Sequence, residues 1–153
     1  DLESVAQNNM VNVQVNTQID AHSDTQSEVQ NLTVKGNTNL LYRALYNLIE
    51  NAIRYNHEEG SVNITLETRD QEGVIIIADT GVGIAPEQRE LVFEPFYRVN
   101  KSRSREFGGA GIGLSLVKTI LKRHGASITV SENNPQGSVF TIRIPLVDSI
   151  DSE

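Results

Sequence analysis

Hydrophobic and polar residues alternate along the chain in patterns that predict strands and helices. Valines at every second position of 11–15, followed by Ile19, predict a strand with one exposed face. The same alternation at 31–35 (NLTVK) predicts a second strand. Leucine and alanine recur at helical spacing over 39–55, after a helix start signal at 36–39. The first third of the chain therefore predicts strands followed by one long amphipathic helix.

The rest of the chain predicts short strands, two helices and one long loop. The predicted elements are strands at 62–68 and 74–78 joined by a hairpin at 70–73, a short helix at 86–92 with proline in its first turn, a basic, glycine-rich loop at 97–113, a helix at 114–124, and a closing hairpin of strands at 128–131 and 138–144. This order indicates an α/β sandwich, in which a mixed, mostly antiparallel sheet carries helices on one face.

Composition and charge narrow the class of protein. The 153 residues suit one domain, taken here as 1–153. The net charge of -7 argues against a nucleic-acid surface. The absence of cysteine excludes disulfides, thiol nucleophiles and cysteine metal sites. The longest fully apolar run, 74–78, is far shorter than the ~20 residues of a membrane span, and the first residues do not form a signal peptide. We therefore expect a soluble domain that makes no membrane contact.

The long predicted helix carries two carboxamides and a guanidinium on one side. Asn47, Asn51 and Arg54 fall within about 60° of one another at 100° per residue. An amide oxygen suits Mg²⁺ that is held mainly by phosphates and water, and an arginine can pair with phosphate oxygens. A solvated helix face is the alternative interpretation of these three residues.

A buried strand delivers an acid to a glycine-containing turn. Asp79 follows the apolar run and precedes Gly81 and Gly83. A carboxylate at that place can accept a hydrogen bond from an exocyclic amine, and glycines let backbone pass close to a flat ring. An ordinary strand, tight turn and helix start would give the same pattern.

A glycine-rich stretch at 108–113 opens the last predicted helix. Backbone amides at a helix start form an anion cradle. The nearby positive charges are Arg98, Lys101, Arg103 and Arg105. The alternative is a flexible linker. Phosphate-loop, dinucleotide and protein-kinase signatures are all absent from the sequence, so those nucleotide-binding classes are excluded.

Four segments follow one another along the chain: NLIENAIRY at 47–55, DTGVGI at 79–84, FEPFYR at 93–98 and GAGIGL at 109–114. They resemble the N, G1, F and G2 boxes of the catalytic, ATP-binding domain of bacterial sensor histidine kinases, in the GHKL superfamily. The last strand, at 137–145, resembles that family too, and the match covers about 36–146. The resemblance implies the GHKL, or Bergerat-type, ATP-binding fold.

The resemblance also implies a role for each matched residue. Asn51 would ligate Mg²⁺, with Asn47 and Arg54 near the phosphates of ATP. Tyr55 would lie beside the nucleotide, and Asp79 would accept from the adenine amine. The other implied ATP-binding residues are Gly81, Gly83 and Ile84 in the G1 box, Arg98, Lys101 and Arg105 approaching the γ-phosphate, and Gly109, Gly111, Gly113 and Leu114 in the lid hinge and phosphate cradle. Phe93 and Phe96 would anchor the base of the lid, and the implied catalytic residues are Asn47, Arg98 and Lys101.

The implied reaction moves the γ-phosphoryl group of ATP to a histidine on a separate dimerisation domain, with a response regulator as the further partner in two-component signalling. The family's acceptor lies in a His-Glu-x-x-x-Pro setting. His57 and Glu58 begin that pattern, but Val62 stands at the proline position. His22 and His124 lack the following glutamate. We therefore expect no dimerisation domain here, no autophosphorylation of the isolated chain, and a cytoplasmic location, with a parent protein that can be anchored in the membrane.

Three alternatives share parts of this pattern. A gyrase-type or MutL-type ATPase would need a glutamate as general base where this chain has Asn47, and Glu50 is poorly directed for that role. An anti-sigma serine kinase shares the nucleotide fold, but the full F box and long lid favour the sensor-kinase branch. A regulatory module that binds nucleotide without kinase activity keeps the same binding residues.

Overall fold

The computed structural model describes Leu2 and residues 11–18, 32–99 and 113–147, with the backbone alone described at 16–18. The strands of the described chain are β1 (Asn12–Gln18), β2 (Ser61–Arg69), β3 (Glu72–Asp79), β4 (Ser127–Glu132) and β5 (Ser138–Pro145), and its long helices are α1 (Thr38–Arg54) and α2 (Gly113–Arg123). These bounds agree with the predicted elements to within a few residues.

The five strands form one mixed sheet in the order β1-β2-β3-β5-β4. β1 and β2 are parallel, whereas the three other neighbouring pairs are antiparallel. A parallel pair needs a crossover connection, and α1 supplies it because it lies between β1 and β2 in the chain. The predicted mixed, mostly antiparallel sheet is confirmed.

Both helices pack over the sheet face that carries the apolar residues. Ile77 of β3 lies between Ile64 of β2 and Phe140 of β5, and all three are buried. Leu48 of α1 and Val117 of α2 close over this layer and are at most 1% exposed. Each side chain of this kind contributes about 1.5–3 kcal/mol on burial, so the shared apolar face holds helices and sheet together.

Polar contacts fix the start of α1 against the end of α2. The Asn37 side chain caps α1 by accepting from the amide of Leu40 at 3.0 Å. The Asn37 amide in turn donates to Nε2 of His124 at 3.0 Å, and Nδ1 of His124 lies 2.7 Å from the Ile120 carbonyl. The His124 ring therefore links the start of α1 to the end of α2.

The predicted hairpin between β2 and β3 is confirmed, but its turn has the two residues 70–71 and not the four residues 70–73. Asp70 and Gln71 have φ of 50° and 65°, which matches the twist that tight hairpins favour. The expected second strand at 31–35 is wrong, because residues 32–35 form no regular element. The Thr33 carbonyl accepts one bond from the amide of Val147, at 2.8 Å, and no strand ladder extends from it.

The expected helix at 86–92 is also wrong in kind. Two separate 3₁₀ turns occupy this region, Pro86–Gln88 and Leu91–Phe93. Their backbone bonds join residues three apart, such as Gln88 to Ala85 at 2.9 Å. Pro86 does open the first turn, as predicted, and the second turn directs Phe93 into the core.

Candidate functional site

A buried carboxylate stands at the end of β3. Asp79 is 7% exposed, and its Oδ1 accepts from the amides of Gly81 at 2.9 Å and Ser138 at 3.1 Å. Burial raises the pKa of the Asp79 carboxyl above its usual value of 3.8, and these two backbone bonds offset part of that rise. The second oxygen, Oδ2, has no partner among the described residues. Every fully buried side-chain oxygen or nitrogen of the described residues has a hydrogen-bond partner. Because Oδ2 has none, it is not fully buried, and it can accept a hydrogen bond from a ligand.

The turn between β4 and β5 holds the backbone of this acid. Nδ2 of Asn133 donates to the Asp79 carbonyl at 2.9 Å. Gly137 has a φ of 119°, and a side-chain carbon there would overlap the Asp79 carbonyl oxygen. Neither Asn133 nor Gly137 is among the site residues predicted from the sequence. A glycine followed by a strand was the available signal, but only the fold shows that Gly137 lies against Asp79.

The two G1-box glycines allow close backbone packing around Asp79. A side-chain carbon on Gly81 would lie 2.5 Å from the Tyr55 carbonyl oxygen, and the next residue, Val82, donates its amide to that oxygen at 3.2 Å. Gly83 has a φ of 74° and lies against Gly137. These contacts bring the G1 box to the end of α1, so the predicted adenine reader and the predicted metal helix meet at one end of the domain.

The carboxamides predicted to bind metal lie on α1, near the end that meets the G1 box. Asn47 and Asn51 are partly exposed and four residues apart, so they are neighbours on one helix face. In the described residues, no cluster of three or more acidic or histidine side chains could hold a metal by itself. Neutral amide oxygens of this kind fit Mg²⁺ that is held mainly by nucleotide phosphates.

The guanidinium of Arg54 lies on the same helix. Its Nη2 is 3.0 Å from Oε1 of Glu50, and the Arg54 side chain is 40% exposed. An exposed helical ion pair of this kind contributes only about 0.5 kcal/mol, so it restrains the guanidinium weakly. The same contact occupies Glu50, which weakens it further as a candidate general base.

The two F-box phenylalanines differ in position. Phe93 is buried, packs edge-on against Phe140 with ring centroids 6.3 Å apart, and has Nζ of Lys118 5.3 Å above its ring. Phe96 is 75% exposed, with a φ of 64°. Phe93 is therefore part of the core and Phe96 is not, while the lid that both were expected to anchor lies outside the described residues. The chain turns at Phe96, which directs its side chain to solvent.

The glycine-rich lid lies largely outside the described residues, and with it Lys101, Arg105, Gly109 and Gly111. Gly113 is the first residue of α2, with open space where a side chain would be, and Leu114 packs against the core. Ile84 packs against the same core, and Arg98 is described just before the lid. Tyr97 and Leu114, which lie on either side of the lid in the sequence, both pack against the core.

The two histidines in the described part of the chain differ in exposure and in how many of their ring nitrogens are bonded. Both ring nitrogens of His124 are engaged, by Asn37 and Ile120. His57 is exposed, but its Nδ1 is bonded to the neighbouring Glu58 carbonyl at 2.9 Å. His22 lies outside the described residues.

The comparison with protein families identifies the family of the domain. Residues 36–148 match the family of histidine kinase-, DNA gyrase B- and HSP90-like ATPases. The chain belongs to this family. Within it, the chain is a catalytic ATP-binding domain of the sensor histidine kinase type, with the corresponding GHKL fold.

Individual relatives point to the same class. The chain is 49% identical over 111 residues to the sensor histidine kinase RppB of Synechocystis sp.. The aligned region covers 72% of this chain and 24% of that protein. It is 44% identical over 115 residues to the sensor-like histidine kinase SenX3 of Mycobacterium tuberculosis, covering 75% and 28%. The chain thus spans about a quarter of these relatives. Among solved structures, the mycobacterial sensor histidine kinase MprB superposes with a TM-score of 0.74 at 28% identity, covering 95% of this chain and 89% of that one.

No helix in the described part of the chain is long and apolar enough to cross a membrane.

Proposed function

We propose that this domain binds Mg-ATP and donates the γ-phosphoryl group to a histidine on a separate dimerisation domain. The observation that carries the proposal is the state of Asp79, whose Oδ1 is held by two backbone amides while Oδ2 stays open. This acid lies where the G1-box turn meets the end of α1, the helix that carries Asn51. One ligand can therefore engage an acceptor for an amine and an amide ligand for a metal.

Asp79 supplies the recognition of adenine in this proposal. Its open oxygen accepts from the exocyclic amine, and its fixed oxygen prevents the carboxylate from rotating away. The close packing of Gly83 against Gly137, and of Gly137 against the Asp79 backbone, holds the G1-box turn beside this carboxylate.

Asn51 would hold Mg²⁺ through its amide oxygen, and Asn47 and Arg54 would lie near the phosphates. When bound, Mg²⁺ would neutralise charge on the phosphate oxygens during transfer. Asn47 cannot take a proton from water at neutral pH, and Glu50 is paired with Arg54. These residues therefore favour delivery of the phosphoryl group over hydrolysis. Arg98, Lys101 and Arg105 are proposed to approach the γ-phosphate, with Gly109, Gly111 and Gly113 forming the cradle.

The acceptor and the further partner are proposed from the class of relatives. Sensor histidine kinases form the family of the matched proteins, and this chain spans only a quarter of their length. The proposed partners are a histidine-bearing dimerisation domain of the same parent protein and a response regulator. The cytoplasm, where ATP is available, is the proposed location.

Calorimetric titration with Mg-ATP tests the binding step. We expect the wild type to bind and Asn51→Ala to lose most of the magnesium dependence while still binding ADP without metal. Asn39→Ala is the matched control, because it removes the same side chain from an exposed position in the first turn of α1. A wild-type protein that does not respond to Mg-ATP would refute the proposal.

Incubation of this domain with ATP and the parent's dimerisation domain tests transfer. We expect phosphohistidine on the dimerisation domain and none on His22, His57 or His124 by mass spectrometry. A parallel phosphate-release assay should show little sustained turnover by this domain alone. Rapid steady-state release would instead support the ATPase alternative, and binding without any transfer would support the regulatory module.

A further inference from the structure

Three polar residues form a closed set of hydrogen bonds where three segments of the chain meet. Asn56 follows α1, Ser61 begins β2, and Thr80 follows Asp79 at the end of β3. The Ser61 amide donates to Oγ1 of Thr80 at 2.9 Å. That hydroxyl donates to Oδ1 of Asn56 at 3.1 Å, and Nδ2 of Asn56 donates back to the Ser61 carbonyl at 2.9 Å. We call these three residues the polar junction.

The geometry of the polar junction leaves little freedom between its parts. All three of these bonds are partly buried. The Thr80 amide also donates to the Ser61 carbonyl, at 3.1 Å, and the hydroxyl of Thr80 has that carbonyl as a second acceptor at 3.4 Å. Gly60 lies so close to the Asn56 side chain that a side-chain carbon on it would overlap the amide. Bonds shielded from water in this way resist exchange more than exposed ones do.

The polar junction lies between the two ends of the proposed nucleotide site. Asn56 is five residues after Asn51 on the chain that leaves α1, and Thr80 is bonded covalently to Asp79. The Tyr55 carbonyl accepts from the Val82 amide beside it, so the backbone repeats the same link. Neither side chain, Asn56 nor Thr80, is among the groups proposed to contact nucleotide or metal.

We propose that Asn56 and Thr80 are positioning residues that set the spacing between the metal end and the adenine end of the site. The inference rests on the proposed function, because it assigns Asn51 to metal and Asp79 to adenine. A ligand that engages both ends depends on their spacing, whereas a ligand that engages one end does not. The polar junction therefore governs affinity for Mg-ATP more than affinity for metal-free ADP.

Thr80→Val tests this inference, because valine keeps the branched shape and removes the hydroxyl that joins Ser61 to Asn56. We expect an affinity loss of about tenfold for Mg-ATP and of less than about threefold for ADP in EDTA, measured by calorimetry. Tenfold corresponds to ~1.4 kcal/mol, in the range of one partly buried hydrogen bond. Thr80→Ser restores the hydroxyl and should return both affinities to near the wild-type values.

His57→Ala is the matched control, since the His57 side chain is exposed and, among the described residues, bonds to the adjacent Glu58 carbonyl and not to the polar junction. Its backbone amide, which donates to Oδ1 of Asn56 at 3.0 Å, is kept in the variant. The variant should leave both affinities unchanged. The double variant Asn56→Ala with Thr80→Val should lose less than the sum of the single losses, because the two side chains share a bond. If Thr80→Val does not fold, Asn56→Ala allows the same comparison, since it removes the donor to Ser61 and the acceptor for Thr80 without adding a charge.

Equal losses for the two ligands would overturn the inference, as would a lowered melting temperature with both affinities unchanged. Either result would assign the polar junction to stability alone. These outcomes differ from failure of the proposed function, in which the wild type itself does not bind Mg-ATP.

Discussion

Replacing Asp79 by asparagine changes one atom of the proposed adenine site. The amide oxygen can still accept from the amides of Gly81 and Ser138, so we expect the turn to keep its structure. The amide nitrogen then occupies the position of Oδ2 and presents a donor where the adenine amine also presents one. The substitution therefore replaces one hydrogen bond to adenine by a contact between two donors.

The expected loss follows from the burial of this group. A hydrogen bond to a charged acceptor contributes about 1.5–3 kcal/mol, and an unsatisfied buried donor costs about 1–3 kcal/mol. Because Asp79 is only 7% exposed, water compensates little. We expect the binding free energy of ATP to weaken by about 2–4 kcal/mol, which lowers the affinity roughly 30-fold to 1,000-fold.

Calorimetric titration of wild type and Asp79→Asn with Mg-ATP measures this loss directly. Asp70→Asn is the matched control, because it makes the same substitution at an exposed residue of the β2–β3 turn, where a φ of 50° suits asparagine. Its affinity should equal that of the wild type. An Asp79→Asn variant that is folded and binds ATP as tightly as the wild type would refute the assignment of Asp79 to adenine.

Three further predictions concern stability. Burial raises the pKa of Asp79 in the folded state, so the contribution of this carboxyl to the stability of the nucleotide-free domain is fully present below about pH 3.8 and is lost as the pH rises through the raised folded value. Thermal melts should show Asp79→Asn gaining stability relative to the wild type over that rise and not below it. Gly137→Ala should lower the free energy of unfolding by at least 1–3 kcal/mol, roughly, because alanine is strained at a φ of 119° and its side chain overlaps the Asp79 carbonyl. Gly113→Ala is the control, since its side chain enters open space and should not lower stability. Urea unfolding of both variants measures the difference. By the same assay, Phe93→Ala should lower the free energy of unfolding by about 3–5 kcal/mol, and the substitution of the exposed Phe96 by alanine should lower it by no more than about 0.5 kcal/mol. Similar losses for the two variants would contradict the different packing of the two rings.

Local patterns in the sequence were sufficient for most elements. Helical spacing of apolar residues predicted α1 and α2, and alternation predicted the strands, because each pattern records which face is buried. The patterns failed where an element needed a distant partner. Residues 32–35 alternate like a strand but pair with no strand of the described chain, and 86–92 divides into two tight turns.

The sequence by itself determined the chemical character of the site: an acid after a buried strand, amides on one helix face, and glycines where backbone must pass closely. The tertiary structure alone decided what holds these groups. Asn133 lies 54 positions from Asp79 and Ser138 lies 59, yet both donate to it. It also decided that β1 pairs in parallel with β2 and that Phe96 faces solvent. Hydrogen bonds and packing between distant segments depend on how the sheet and helices meet, and the local hydrophobic periodicity of the sequence does not specify that arrangement.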